Sequence, residues 1–201
     1  MFADDTKRLI KFIEETPTCY HGVANISKVL RDNGYVELSE EREWDITPGG
    51  KYFVLRNMSS VIAFAVPKRE YSGFMITASH SDSPCFKIKP KGEMEDGFYV
   101  KLNVERYGGM IYSTWLDRPL SVAGRVVVAT EHGIETRLVN IDRDLVLIPS
   151  LAIHMNGESN KGYVYNPQVD LLPLMGSAAT KGAFMKLVAC LLYTSDAADE
   201  L

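Results

Sequence analysis

His80 and Asp82 stand two residues apart in the run Thr77-Ala78-Ser79-His80-Ser81-Asp82-Ser83-Pro84, and a histidine beside a carboxylate at that spacing is chemistry for a metal ion. An imidazole binds zinc through one ring nitrogen, and a carboxylate that accepts the other N–H fixes the ring and raises its basicity. Asp82 could be that carboxylate, either directly or as the organiser of the pocket. The element that must hold the pair is Phe74-Met75-Ile76-Thr77-Ala78, which is short, apolar and β-prone between Gly73 and Pro84. This pattern predicts a buried strand ending at His80. In open α/β sheets ligands bind just past the carboxyl ends of strands, so the site would sit at the strand tip.

Alone the triplet is not specific, because a histidine at a strand end is often a structural residue. Its neighbours add the specificity. The chain continues with Ser83-Pro84-Cys85-Phe86-Lys87-Ile88-Lys89-Pro90, then Tyr107-Gly108-Gly109-Met110-Ile111-Tyr112-Ser113-Thr114-Trp115-Leu116-Asp117-Arg118-Pro119-Leu120. Ala123-Gly124-Arg125-Val126 and Ile148-Pro149-Ser150-Leu151-Ala152-Ile153-His154 follow, and Thr16-Pro17-Thr18-Cys19-Tyr20-His21-Gly22-Val23 stands near the start. In this order the set closely resembles the aspartyl aminopeptidase family of two-zinc exopeptidases, from about residue 5 to about residue 189.

The resemblance implies an α/β fold: a zinc-exopeptidase-like catalytic sheet with helices, incomplete here, plus an inserted β-rich dimerisation domain. It implies zinc, two ions per site, with His80 as the first metal ligand and Asp82 as the catalytic residue that keeps the site in order. It further implies that His154 reaches a neighbouring subunit's site and helps bind the peptide substrate, and that dimers build a larger homo-oligomer. The bridging aspartate, the Glu-Glu pair and the last aspartate and histidine belong to family motifs later than position 189. The expected activity of the parent protein is therefore aminopeptidase hydrolysis of an N-terminal residue, Asp or Glu among the candidates. Two other readings stay open: an inactive fragment or assembly module, and a related two-zinc amide hydrolase such as a deacylase.

Bulk properties agree with a globular protein. The chain has 201 residues, 46% apolar and 24% charged, with a formal charge of −4. That length can bury a sizeable core. The interspersed charges give no basic face for nucleic acid. Met1-Phe2-Ala3-Asp4-Asp5 has neither the basic nor the apolar region of a secretory signal, and no stretch reaches a membrane span, so no membrane partner is expected. Three cysteines, Cys19, Cys85 and Cys190, without Cys-x-x-Cys spacing, fit reduced thiols in a cytoplasm.

The periodicity places the elements. Leu9, Ile10, Phe12 and Ile13 predict one helix, capped by Asp4 or Asp5 and ended at Thr16-Pro17-Thr18. Val23, Ile26, Val29 and Leu30 predict a second, stopping at Asn33-Gly34, with both helices covering a sheet. Tyr52 to Leu55 and Ser60 to Val66 predict a hairpin around Arg56-Asn57-Met58-Ser59. Beyond Pro84 short strands recur: Phe98, Val100, Leu102 and Val104 alternate with polar residues, and further strands are expected at 122–129, 134–139 and 145–148. Lys87 and Lys89 read as the wet face of an edge strand. Asp117 and Arg118 beside Trp115 read as a charged pair, His21 as a cap or helix contact, and His132 as a solvated turn residue. The expected domains are 1–85, the first part of the catalytic domain, and 86–189, the β-rich insertion. Residues 190–201 depart from the family and read as a translated sequencing adapter, a non-native tail.

Overall fold

The structure, a computed structural model, describes residues 2–196, with backbone alone for Phe2 and 193–196. These residues form two compact units, one running to Ser83 together with Gly124–Val126, the other formed by Pro84–Ala123 and the chain from Val127.

In the first unit, α1 (Phe2–Glu14) is followed by α2 (Cys19–Asp32). Asp4 and Asp5 lie in the first turn of α1, where their charge favours its positive end. Thr18 caps α2, its hydroxyl accepting from the His21 N–H. At the other end Gly34, at φ +78°, takes the left-handed position, the Gly34 N–H reaching the Arg31 carbonyl and the Tyr35 N–H that of Leu30. This closes the helix as a Schellman motif. Then β1 (Val36–Glu37) pairs in parallel with β2 (Lys51–Arg56), which pairs antiparallel with β3 (Ser60–Ala65) from Lys51↔Ala65 to Arg56↔Ser60. The hairpin forms where the sequence places it, with Asn57 at φ 52° and Met58 at φ 55°, the two positive values of a type I′ turn. Val23, Tyr52, Phe53 and Val54 make the small core.

Two expectations fail here. Residues 74–78 form no strand, and Phe74, Met75 and Ile76 are exposed at 82%, 103% and 85%. Leu9, Ile10 and Ile13 of α1 are also more exposed than buried or evenly so, at 59%, 50% and 61%, instead of covering a sheet. A strand exists only by pairing, and a helix face is buried only against a sheet wide enough to receive it; this sheet has three strands among the described residues.

The second unit is β-rich. It contains β4 (Cys85–Asp96), β5 (Tyr99–Tyr107), β6 (Pro119–Leu120), most of β7 (Ala123–Thr130), β8 (Gly133–Asn140), β9 (Val146–Leu147) and β10 (Leu174–Ser177), and ends in α3 (Ala183–Asp196). A five-stranded sheet runs β4-β5-β10-β9-β6, and β7 pairs with β8. Val100, Leu102 and Val104 are 1–2% exposed, as their alternation requires, whereas Phe98 lies outside β5 and is 85% exposed. The long strand β4 is an edge; its register shifts between Ile88 and Glu93, around Pro90, which has no N–H to give a ladder. Lys87 faces Glu105 across that edge at 3.6 Å. Glu93 caps α3, its carboxylate accepting from Gly182 at 2.6 Å and Phe184 at 2.9 Å. Of the expected tail, 190–196 continue α3 and 197–201 lie outside the described residues.

Candidate metal centre

The centre is built on the irregular segment that follows β3. His80 Nδ1 lies 2.9 Å from the Asp82 carbonyl oxygen and 3.1 Å from Asp82 Oδ1. Both partners can only accept, so Nδ1 is the ring nitrogen that donates, which leaves Nε2 as the one that could face a metal. The side chain of His80 is 83% exposed and that of Asp82 36%. This is the arrangement a zinc-binding histidine needs: the second nitrogen donating to a carboxylate, the first available as a donor to metal.

Ser81, between the two, is fastened elsewhere. Its hydroxyl donates to the Ser59 carbonyl at 3.1 Å, tying the segment to the β2–β3 turn. The N-terminal turn of α2 also approaches it, since a Cβ on Gly22 would lie 3.8 Å from the Ser81 carbonyl oxygen. The pair therefore hangs on a scaffold although its own segment is irregular and largely exposed.

The residues present fit zinc in chemistry but not in number. Among the described residues no group of three or more His, Cys, Asp or Glu could hold a metal ion. His80 offers one nitrogen and Asp82 the outer carboxylate, and a closed site needs about four donors.

His154 lies in the second unit, exposed on the turn Ile153-His154-Met155, with Ile153 and Met155 exposed at 48% and 75%. His21 is half-buried; its Nδ1 sits 2.8 Å from Thr18 Oγ1, and burial lowers its pKa from the ordinary histidine value. His132 is exposed in the β7–β8 turn, as expected. The expected Asp117–Arg118 pair is replaced. Asp117, at φ 54°, accepts the Ser150 N–H at 2.9 Å and the Ser150 hydroxyl, and these bonds hold its carboxyl below the usual carboxylate range. Arg118 donates to the Thr114 carbonyl at 3.3 Å instead. Asp117 is engaged by Ser150 and Arg118 by Thr114, so the two charges do not meet.

The sequence reading missed Ser59 and Arg125 around this centre. Arg125 donates to the Asn57 carbonyl at 2.8 Å and lies 4.4 Å from the Tyr20 ring centroid. No spacing rule links residues so far apart.

Comparison with known proteins gives a consistent outcome. The model of the family described as aminopeptidase I zinc metalloprotease (M18) matches residues 12–186. A probable M18 family aminopeptidase 2 of Clostridium acetobutylicum is 48% identical over 192 residues, 91% of this chain and 44% of that protein. An aspartyl aminopeptidase of Dictyostelium discoideum is 43% identical, over 88% of this chain and 37% of its own length. Among solved structures, the dodecamer of mApe1 from Saccharomyces cerevisiae matches with a TM-score of 0.69 at 26% identity, over 87% of this chain and 38% of that one. The chain thus spans less than half the length of the curated relatives it matches.

Proposed function

As the chain belongs to the M18 family of aminopeptidase I zinc metalloproteases, we propose that it is the amino-terminal part of a zinc-dependent aminopeptidase that removes the first residue, Asp or Glu among them, from peptides. The observation that carries this reading is the His80 imidazole held by Asp82, with Nδ1 on two acceptors and Nε2 left as a donor. The name of the Dictyostelium relative supports the acidic preference.

In this reading His80 holds one of two zinc ions, and the other ligands and the general base come from the length of the relatives that this chain does not span. Zinc held there would supply Lewis-acid chemistry, polarisation of the scissile carbonyl and activation of a water molecule. Asp82 keeps the proton on Nδ1 and holds the ring plane, so that Nε2 is presented without reorganisation. His154, exposed in the second unit, reaches a neighbouring subunit's site and helps bind the peptide there. Residues 1–85 then belong to the catalytic domain and 86–189 to a dimerisation domain. The dodecameric yeast relative supports assembly of dimers into a larger homo-oligomer. The spacing of Cys19 and Cys85, without a Cys-x-x-Cys pair, supports a cytoplasmic setting.

The test is made on the complete protein. It should cleave aminoacyl chromogenic substrates, lose turnover when zinc is chelated and regain it on adding zinc back. His80→Ala should abolish both stoichiometric zinc and turnover; activity retained in that variant ends the proposal. A second reading, in which the 201-residue chain by itself is an inactive assembly module, draws on the absence of a three-ligand group among the described residues. Tight stoichiometric zinc in this polypeptide alone would contradict it.

A further inference from the structure

We propose that Asn156, in the Asn156-Gly157 pair that follows the turn bearing His154, is a site of spontaneous covalent modification, in which its side-chain amide is lost as ammonia and the residue becomes aspartate and isoaspartate. The reaction needs water and no metal. The Gly157 backbone nitrogen gives up its proton and attacks Asn156 Cγ. As the new N–Cγ bond closes a succinimide ring, the Cγ–Nδ2 bond breaks and Nδ2 leaves with that proton as ammonia. Water then opens the ring at one of its carbonyls. Opening at Cγ restores the main chain and leaves aspartate; opening at the backbone carbonyl turns that carbon into the carboxylate and routes the chain through Cβ and Cγ, as isoaspartate.

Asn-Gly occurs at 33–34 and at 156–157, so residue type alone does not separate the two pairs. Their surroundings do. Gly157 is exposed, Asn156 half-buried, and neither belongs to a helix or strand. Among the described residues the nucleophile, the Gly157 N–H, makes no hydrogen bond, and neither does the leaving group, Asn156 Nδ2. Asn156 Oδ1 accepts the Glu158 N–H at 3.3 Å, which folds the side-chain amide back over the Gly157 peptide and draws electrons from Cγ. A Cβ on Gly157 would meet nothing within 4 Å, so the ring closes without displacing a neighbour. At the end of α2 every one of these conditions is reversed. The Gly34 N–H donates to the Arg31 carbonyl at 3.0 Å, and Asn33 Nδ2 donates to the Val29 carbonyl at 2.8 Å. Nucleophile and leaving group are both held there by the helix cap.

The modification remodels its own turn. The Asn156 N–H donates to the Ala152 carbonyl at 3.1 Å, and the Asn156 carbonyl accepts the Ser159 N–H at 3.2 Å and the Ser159 hydroxyl at 2.8 Å. These bonds close the chain from 152 to 159 around His154. In isoaspartate the carbonyl carbon leaves the main chain and an additional carbon enters it, so the Ser159 bonds no longer close the same loop. Both products also add a negative charge beside Glu158, whose carboxylate already holds Lys161 at 3.1 Å.

The experiment incubates the complete protein in mildly alkaline heavy-oxygen water and maps its peptides by mass spectrometry, with synthetic peptides spanning 29–37 and 152–161 treated in parallel. Both peptides should convert, because each holds an Asn-Gly pair without a fold around it. In the protein, position 156 should convert to aspartate and isoaspartate, each carrying heavy oxygen from the solvent, while Asn33 stays intact. Conversion should slow in mildly acidic buffer, where the Gly157 nitrogen keeps its proton. Gly157→Ala should leave Asn156 intact over the same incubation, because a β-carbon hinders the approach of the nitrogen to Cγ. Asn156 intact in the protein while the 152–161 peptide converts overturns the proposal. Conversion at 33 as fast as at 156 overturns the structural distinction on which it stands. Conversion at 156 undiminished in Gly157→Ala overturns the succinimide route, and with it the proposal.

Discussion

His80 Nδ1 meets two oxygens of a single residue, the Asp82 carbonyl at 2.9 Å and the Asp82 carboxylate at 3.1 Å. The two contacts do different work. The carbonyl is retained by any substitution at position 82 and is enough to keep the proton on Nδ1, whereas the carboxylate alone supplies the negative charge that makes Nε2 a stronger donor. Replacing the side chain should therefore weaken metal binding without changing the tautomer.

In the complete protein Asp82→Asn is expected to lower zinc affinity about tenfold and Asp82→Ala about a hundredfold, the range seen for outer partners of ligating histidines. Chelator competition at fixed pH measures both. Equal affinities for the two variants and the wild type would show that the carboxylate has no part in holding the metal.

Asp117 makes stability depend on acid. Its carboxyl is held below the ordinary range by the Ser150 hydroxyl first and the Ser150 N–H second. A depressed carboxyl contributes stability that is full above the unfolded value of about 3.9 and is lost as pH falls through the lower folded value. Asp117→Asn keeps a residue that accepts the left-handed backbone and removes the titration. Tm measured from pH 6 down to pH 2.5 should fall less steeply for this variant than for the wild type; parallel curves would refute the assignment.

His21 gives a second dependence, at higher pH. Burial disfavours its charged form and lowers its pKa, so the unfolded chain takes up the proton first as pH falls. Stability is complete above the unfolded value of about 6.5 and declines as pH drops from there through the folded value. His21→Gln should remove that decline, checked by denaturant midpoints between pH 5 and pH 8. Thr18→Ala, which deletes the cap of the same helix, should cost about 1 kcal/mol at pH 8, measured by the same denaturant midpoints.

The core of the β-rich unit can be tested by contrast. Leu102 is 1% exposed and Phe98 85%, although the two occupy one alternating pattern in the sequence. Leu102→Ala should destabilise by about 2–5 kcal/mol. Phe98→Ala should change stability by no more than about 0.5 kcal/mol. Similar losses at both positions would contradict the strand boundary at Tyr99.

Legibility followed distance along the chain. The end of α2 at Asn33-Gly34, the β2–β3 hairpin and the inward face of Val100, Leu102 and Val104 are local patterns, each set by side chains within a few residues of one another. The pairing of His80 with Asp82 is local too, and two residues of separation bring an imidazole and a carboxylate together with no help from the rest of the fold.

What the amino-acid order determined by itself was therefore the family, through long motifs in one order, and the donor pair at positions 80 and 82. Tertiary structure alone decided that Ser81 is anchored 22 residues back at Ser59, that Arg125 holds Asn57 across 68 residues, and that Asp117 turns away from Arg118 to Ser150, 33 residues on. It also decided that Phe74, Met75 and Ile76 stay outside any sheet. The reason is physical: periodicity reports which face of an element is apolar, but a hydrogen bond or a strand partner depends on where distant segments are brought, and that is set by packing rather than by spacing.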